Sequence, residues 1–282
     1  MQAYIDSILP QAQKIYQDIL NPSSVEFKFI FYPVIAYWVL AASFDVLDRL
    51  KLSFTERFRI RRVEPGKPNG ITVSHVVIRV FWQHIIQVSI TIVALVFDDK
   101  MCAIGNQRPG WIKSTCLFIF GLFVMDTYQY FVHRYMHTNT YLYKKLHSTH
   151  HRLLKPYAYG ALYNHPLEAL ILDTLGGVIT HYAARLTCNT AVAVMTFATV
   201  KTVLDHCGYR FPINPLHNVF PNSTAYHDVH HDIRFIKTNF SQPFFTHWDI
   251  LLGTYKNPAE VHVQTNSQDS DASAAISLKK RK

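Results

Sequence analysis

The sequence predicts an all-α integral membrane protein with about four transmembrane helices and a histidine-rich cap on the cytosolic side. Three observations support this prediction. Hydrophobic residues make up 49% of the 282 residues and charged residues only 17%, against roughly 25% charged residues in an average soluble domain. Long apolar stretches alternate with polar turns that contain proline and glycine. Sixteen histidines are present, and eight of them fall in three short clusters in the second half of the chain.

The first segment, residues 1–26, is expected to lie on the membrane surface. Its apolar side chains recur at helical spacing, as at Ile5, Ile8, Ile15 and Ile19, which is typical of a short amphipathic helix. The first twenty residues lack a basic n-region, so we expect no cleavable signal peptide.

The transmembrane region, residues 27–132, contains three predicted spans. Residues 27–47 are almost uncharged over about the 20 residues that cross a bilayer. Residues 73–97 and 114–132 form the second and third spans, and the third leads directly into the first histidine cluster. Polar, proline-containing turns separate the three spans.

Residues 133–262 should form one domain that contains the histidine clusters and a membrane hairpin. The hairpin is predicted at 166–202, where the chain is apolar again, with breaks at Gly176-Gly177 and around 187–189. We expect it to dip into the membrane or to cross it. Residues 263–282 have the composition of a disordered tail.

Charge sets the expected orientation. The segment from Arg49 to Lys67 is rich in lysine and arginine, which predicts that it is cytosolic. Two further crossings then return the chain to the cytosol at His133, and the hairpin keeps the later residues on that side. All three clusters therefore meet in one compartment. The glycosylation sequons at Asn222 and Asn239 should accordingly stay unmodified.

Composition also excludes some classes of protein. The formal net charge is +9, but no nucleic-acid-binding motif accompanies it, so we expect anionic lipid rather than nucleic acid beside the basic residues. The four cysteines show no C-x-x-C pair and no regular spacing. We therefore predict neither a disulfide framework nor a thiolate zinc site.

The histidine clusters predict a metal centre. They read H-x-x-x-H at His133 and His137, and then H-x-x-H-H at 147–151 and again at 227–231. Neutral imidazole is a common ligand of transition metals, and helix positions i, i+3 and i+4 share one face. Each cluster should therefore aim two or three ring nitrogens at the same point. Eight histidines exceed the four ligands of a tetrahedral zinc and suit two metal ions with open positions for oxygen and substrate.

Nearby residues extend the candidate site. His165 and His206 are candidate ligands outside the clusters, and ligating histidines usually donate their other N–H to a carboxylate or carbonyl. Asp126 lies about 10 Å deeper than His133 along the third span, so it would hold a histidine or water from another segment, or link two helices. The candidate metal ligands are His133, His137, His147, His150, His151, His165, His206, His227, His230 and His231. The candidate supporting carboxylates are Asp126, Glu168, Asp205 and Asp228.

The series of clusters in a multi-span chain resembles the fatty acid hydroxylase superfamily. Two longer motifs, PYAYGALYNHPLEALILDTLGG from Pro156 and KTNFSQPFFTHWDILLGTY from Lys237, are similar to those of its sphingoid-base C4-hydroxylases. The resemblance covers about residues 133–255, and earlier residues fit only in their topology.

The resemblance implies a non-haem diiron monooxygenase of the endoplasmic reticulum membrane, with two iron ions, O2 as co-substrate, and a cytosolic active site and C-terminus. The implied reaction hydroxylates carbon 4 of sphinganine or dihydroceramide to give phytosphingosine-type bases. The apolar spans would form a slot for the alkyl chain. An HPGG segment like that of cytochrome b5 is missing from the sequence, so electrons are expected from separate cytochrome b5 and its NAD(P)H-dependent reductase. A ceramide synthase is a further implied partner.

Two alternatives stay open at this stage. A related enzyme of the same superfamily would hydroxylate or desaturate a sterol or a fatty acid. A membrane metal transporter would also use many histidines, although transporters place their ligands within the spans and here nearly all lie beyond them. An iron assay combined with lipid analysis separates these alternatives.

The last four residues predict retention in the endoplasmic reticulum. Lys279 and Lys280 stand fourth and third from the end, which resembles a dilysine retrieval signal, whereas a basic tail can also simply bind anionic lipid. Replacing both lysines with serine should move most of the protein out of the reticulum, as imaged with the C-terminus left free. The matched control replaces Arg281 and Lys282, which removes the same charge and spares the pair. Unchanged residence after the first replacement would show that these lysines are only surface charge.

Overall fold

The computed structural model describes residues 2–61, 68–98, 102 and 109–261, and these residues are helical with connecting loops. In chain order the α-helices are α1 (Gln2–Leu20), α2 (Val25–Leu50), α3 (Ser53–Glu56), α4 (Val73–Phe97), α5 (Trp111–Thr138), α6 (Thr140–Lys145), α7 (Pro166–Ala169), α8 (Gly176–Ala183), α9 (Cys188–His206), α10 (Pro215–Val219), α11 (Thr224–His231) and α12 (His247–Leu251). Short 3-10 helices occupy Pro68–Gly70, His147–Arg152 and Ala158–Leu162, and Leu170–Leu175 is a π-helix. The described residues contain no strand, so the all-α prediction is confirmed.

Three helices, α2, α4 and α5, are long and apolar enough to cross a membrane. They contain the predicted spans at 27–47, 73–97 and 114–132, which confirms those elements. Their outer faces carry large exposed apolar side chains such as Val39, at 62% exposure, and Trp82, at 60%. An apolar surface of this kind is stable when lipid covers it.

The predicted hairpin is present as two arms. The first arm consists of α7, the π-helix and α8, and the second arm is α9. The expected break at Gly176-Gly177 is wrong, because the helical chain continues through both glycines. They permit close packing instead, since a Cβ at Gly177 would lie 3.2 Å from the Met195 sulfur. The nineteen residues of α9 extend about 27 Å, from Cys188 at one end to His206 at the other.

A disulfide joins Cys102 and Cys188, and for this pair the prediction of no disulfide is wrong. Residue spacing alone carried no signal, since 86 residues separate the two cysteines. They meet because the tip of the hairpin packs beside the end of α4. The disulfide marks the end of the helical bundle opposite to the histidine clusters.

Helix α1 packs against this same disulfide end. Its buried Ile15 contacts a cluster formed with Ile30 of α2 and Leu95 of α4. The predicted N-terminal helix is therefore present, and one side of it rests on the bundle. Its amphipathic pattern leaves side chains such as Tyr16 exposed, as expected for a helix at a membrane surface.

Both sequon asparagines are fully buried and hydrogen-bonded. The Asn222 amide donates to the Ser241 carbonyl at 2.7 Å, and the Asn239 amide donates to the carbonyls of Tyr226 and Lys256. A glycan on either amide would therefore be incompatible with this packing. The tail with Lys279 and Lys280 lies outside the described residues.

The disulfide gives a direct test of orientation. Secretory compartments allow disulfides to persist whereas the cytosol does not, so we expect Cys102 and Cys188 to face the lumen. In a protein with Cys116 and Cys207 changed to serine, an impermeant maleimide should label these two cysteines only after sealed microsomes are opened and reduced. A cysteine placed at exposed Lys145, beside the clusters, should react in intact microsomes. Labelling of Cys102 in intact, reduced microsomes would reverse the orientation.

Candidate metal centre

Nine histidines converge in two adjacent groups, and none of them is more than 5% exposed. One ring nitrogen of each member lies within 4.8 Å of the corresponding nitrogens of its group. Group 1 contains His133, His137, His147, His151 and His230. Group 2 contains His150, His206, His227 and His231.

Four separate elements supply these rings. His133 and His137 lie on the last turns of α5, which ends at Asn139. The Asn139 side chain accepts from the N–H groups at the start of α6, so the chain turns there and brings the second cluster back onto the first. His206 is the last residue of α9. The third cluster occupies α11, whose first turn is capped by Ser223.

Each H-x-x-H-H cluster places two of its three rings in one group, within the expectation of two or three, and gives its third ring to the other group. On α11, His227 and His231 join group 2 whereas His230 joins group 1. A helix advances about 100° per residue, so position i+4 returns close to position i while i+3 points about 100° away from i+4. The second cluster is divided in the same way, with His150 alone in group 2, although it lies on a 3-10 helix.

The spacing of the nitrogens suits metal ligation. In group 1 the short Nε2–Nε2 contacts among His133, His137, His147 and His151 run from 2.7 Å between His137 and His147 to 3.1 Å between His133 and His137. Two nitrogens about 2.1 Å from one metal are about 3.0 Å apart when at right angles and about 3.4 Å apart in a tetrahedron. These contacts, with all five ligand nitrogens of the group within 4.8 Å of one another, suit a six-coordinate ion with one position left open.

Hydrogen bonds fix the orientation of four rings. Each donates its Nδ1–H, which leaves the Nε2 lone pair directed into the group. The acceptors are Phe240 O for His133 (2.7 Å), Thr202 O for His206 (2.8 Å), Thr238 O for His230 (2.8 Å) and a Glu168 carboxylate oxygen for His147.

The Nε2 lone pairs that converge in group 1 would be satisfied by a shared cation. The Nε2 atom of His230 is buried without a hydrogen-bond partner. The Nε2 atoms of His133, His137 and His147 lie 2.7–3.1 Å from one another and so form three nitrogen–nitrogen contacts. Each contact needs a donated proton, and neutral rings cannot supply one to all three contacts at once. Metal ions satisfy all of these nitrogens, so the donor set fits the implied metals.

Burial keeps the cap histidines in the neutral form that binds metals. It lowers the pKa values of His150, His151, His227 and His231 well below their usual range. It also lowers the pKa of His230 to about 3. These rings are therefore unprotonated at neutral pH, and no proton must leave before a metal binds.

The four predicted carboxylates have different roles. Glu168 contacts a group member directly, through His147. Asp126 instead accepts the backbone N–H groups of Phe244 and Phe245, both at 2.9 Å, and so anchors that loop to α5. Asp205 accepts from Lys201 at 2.6 Å.

Asp228 links α11 to the segment that follows α3. It accepts from the Arg61 guanidinium at 2.8 Å, and the same arginine also reaches Asp232 at 3.2 Å. The basic run from Arg49 to Lys67 is therefore partly neutralised within the molecule. Its Arg59 is likewise paired, with Asp48 at 2.8 Å.

The structure brings His206 into group 2 but places His165 outside both groups. His165 is the N-cap of α7, where its half-buried ring accepts the Leu167 N–H at 3.2 Å. Pro166 at the next position begins the helix, where proline is common because its missing N–H would have no partner in the helix.

Two further residues support the site and were missed from the sequence. Lys201 is completely buried, and its Nζ donates to Asp205 and to the carbonyls of Asn222 and Pro243. Asp249 accepts the Phe240 N–H, which positions the carbonyl that holds His133. The i, i+4 spacing of Lys201 and Asp205 on a helix could have predicted their ion pair. No comparable spacing pointed to a role for Asp249.

An apolar cavity of about 220 Å³ lies among α2, α4, α5 and the hairpin. A second cavity, of about 30 Å³, borders His147, His150 and His206. Four residues line both cavities, namely Gln129, Leu162, Asp173 and Thr202. The larger cavity, here called the slot, therefore leads toward the two histidine groups through the smaller one, here called the inner pocket.

Comparison with known proteins identifies relatives along most of the chain. The family model described as fatty acid hydroxylase matches residues 118–254. Sphinganine C4-monooxygenase 2 of Arabidopsis thaliana is 43% identical over 82% of this chain and 88% of its own length. Very-long-chain aldehyde decarbonylase GL1-9 of Oryza sativa subsp. indica is 45% identical over 80% of this chain and 86% of its own length. Sphingolipid C4-hydroxylase SUR2 of Saccharomyces cerevisiae is 43% identical over 79% of this chain and 69% of its own length. The comparison with solved structures found no significant match.

The contact between Glu168 and His147 predicts a metal-binding defect. Changing Glu168 to Gln removes the charged acceptor that orients His147, so metal affinity should fall by about 10- to 100-fold. The measurement is the metal content of purified protein across a series of chelator concentrations. The control is Glu260→Gln, which removes an exposed carboxylate whose partner is Asn257. Equal metal retention by both variants would show that Glu168 does not support the site.

Proposed function

The chain belongs to the fatty acid hydroxylase family, and on that premise we propose that it is a diiron monooxygenase that hydroxylates carbon 4 of a sphingoid base. The observation that carries the proposal is the apolar slot that leads to two adjacent groups of nine histidines. The names of the Arabidopsis and yeast relatives supply the substrate class and the carbon atom.

The proposed metal site uses the nine grouped histidines and omits His165. Group 1 would hold one iron through five nitrogens and group 2 a second iron through four, which leaves open positions at both. Bound iron supplies the oxidising power toward an unactivated C–H bond that amino acid side chains lack. The overall change balances as one C–H bond, O2, two electrons and two protons giving one C–OH bond and one water.

The protein's own residues position the reacting carbon. Slot side chains such as Ile30, Val88 and Met125 suit an alkyl chain and exclude water around it. Glu168 and the backbone carbonyls keep the histidine rings oriented. A chain seated in the slot would present one methylene to the inner pocket, and such fixed positioning lowers the barrier and selects the carbon.

The proposed surroundings are the reticulum membrane, a cytosolic active site and an acidic electron donor. Exposed basic residues of the cap, Lys144, Lys145 and Arg152, flank the second cluster. They would attract cytochrome b5, which would bring electrons from its NAD(P)H-dependent reductase. The disulfide at the opposite end supports the same orientation, since it requires an oxidising compartment. A ceramide synthase is a further proposed partner.

The rice relative provides a second candidate, the decarbonylation of very-long-chain aldehydes. The same slot and metal groups would accept an aldehyde. The junction of slot and inner pocket favours the first candidate, because Gln129, Asp173 and Thr202 give it more polar groups than a single carbonyl requires. Membership of an enzyme family sets the transporter alternative aside.

The test is reconstitution of the purified protein with iron, O2 and a cytochrome b5 reducing system. We expect two irons per chain and a 4-hydroxylated base, identified by mass spectrometry. His151→Ala in group 1 and His227→Ala in group 2 should each reduce turnover by at least about 100-fold and lower the iron content. The control is His75→Ala, which changes an exposed histidine of α4.

Two outcomes would contradict the proposal. One is a single tetrahedral zinc with activity unchanged in both group variants. The other is an alkane formed from a long-chain aldehyde with no hydroxylated base, which would favour the second candidate.

A further inference from the structure

Asp173 stands at the junction between the slot and the inner pocket, and its side chain lines both. Its Oδ2 atom is buried and has no hydrogen-bond partner in the structure. Leaving a buried carboxylate oxygen unmatched is costly. This oxygen is therefore placed to receive a donor that the protein itself does not provide.

The backbone at Asp173 is also unusual. The residue lies within the π-helix Leu170–Leu175, which interrupts the first arm of the hairpin between α7 and α8. Single π-turns inside helices are frequent at functional sites. The wider turn shifts the side chains that follow α7 relative to a continuous α-helix, and Glu168 and Asp173 then both reach the inner pocket.

The remaining polar groups of the inner pocket suit hydroxyl recognition. Gln129 and Asn164 line it from α5 and from the loop before α7. Glu168 lines it as well; its Oε1 atom is bound to His147, and its Oε2 atom, like Oδ2 of Asp173, has no hydrogen-bond partner. Of the two carboxylates that line this pocket, Asp173 is therefore the one that does not bond a histidine of group 1 or group 2.

The chemistry of a long-chain 2-amino-1,3-diol matches this arrangement. Three bonds separate its carbon 4 from the amine nitrogen, so the two atoms are about 3–4 Å apart on ordinary bond lengths. When carbon 4 lies in the inner pocket, the ammonium must therefore lie in that pocket or at its rim. The tail continues into the slot. An N-acylated base would bring to the same place a neutral amide that carries one N–H and no charge.

We propose that Asp173 is the counter-ion for the ammonium group of a free sphingoid base, with Gln129 and Asn164 placed to bind its hydroxyls. The enzyme accordingly takes the free base in preference to the N-acylated base. This inference rests on the proposed function and adds the residue that recognises the head group. Asp173 acts as a specificity residue, because it contacts the amine and not the reacting carbon.

The experiment compares Asp173→Asn with wild type on sphinganine and on N-octanoyl-sphinganine, using the iron-loaded full chain. The variant keeps the shape of the side chain and loses its charge. We expect KM for sphinganine to rise about 10- to 100-fold, with kcat and iron content close to wild type. KM and kcat for the N-acylated base should change by less than about 3-fold. The matched control is Asp18→Asn, an acid of α1 paired with Lys14 at the disulfide end.

An unchanged KM for sphinganine, an equal loss on both substrates, or a wild-type preference for the N-acylated base would overturn the role of Asp173. If Asp173→Asn loses its iron, Asp173→Glu decides the matter, since it keeps the charge and must keep the preference for the free base. Failure of the proposed function looks different, because wild type itself would then form no 4-hydroxylated product from either substrate.

Discussion

The crowding of nine imidazole rings in a buried space is the constraint on which the rest of the structure depends. Lone pairs about 3 Å apart repel each other unless cations lie between them. Hydrogen bonds at Nδ1 fix four of the nine rings from behind. Backbone carbonyls perform this task for three rings and the Glu168 carboxylate for a fourth.

Two of those carbonyls, at Thr238 and Phe240, belong to a loop that is itself anchored by buried polar groups, and the third, at Thr202, belongs to α9. Asp249 accepts from Phe240, whose carbonyl holds His133. Lys201 joins α9 to the loops at Asn222 and Pro243, and Asp126 fixes the next two residues of the second loop to a long apolar helix. Removing one partner from such a buried network leaves the other unsatisfied and costs several kcal/mol. The polar interior of the cap is therefore a single scaffold for the metal groups.

Sequence patterns predicted what depends on local periodicity. The three spans follow from runs of apolar residues, and the clusters follow from histidine spacing, so both were found correctly. The division of His150 and His230 away from their clusters could not be predicted, because it depends on which element lies opposite each ring. The same limit applies to Cys102 and Cys188, which only the hairpin brings together. His165 looked like a ligand by composition but serves as a helix cap, a role that becomes visible only with the backbone in place.

The division of the two H-x-x-H-H clusters between the groups would couple the two proposed metal ions thermodynamically. A cation in group 1 would hold His230 and with it α11, which carries two of the four candidate ligands of group 2. A cation in group 2 would hold His150 and with it the 3-10 helix that supplies His147 and His151 to group 1. Each ion would therefore favour binding of the other, so that metal uptake would be cooperative and the protein with a single ion would be a minor species.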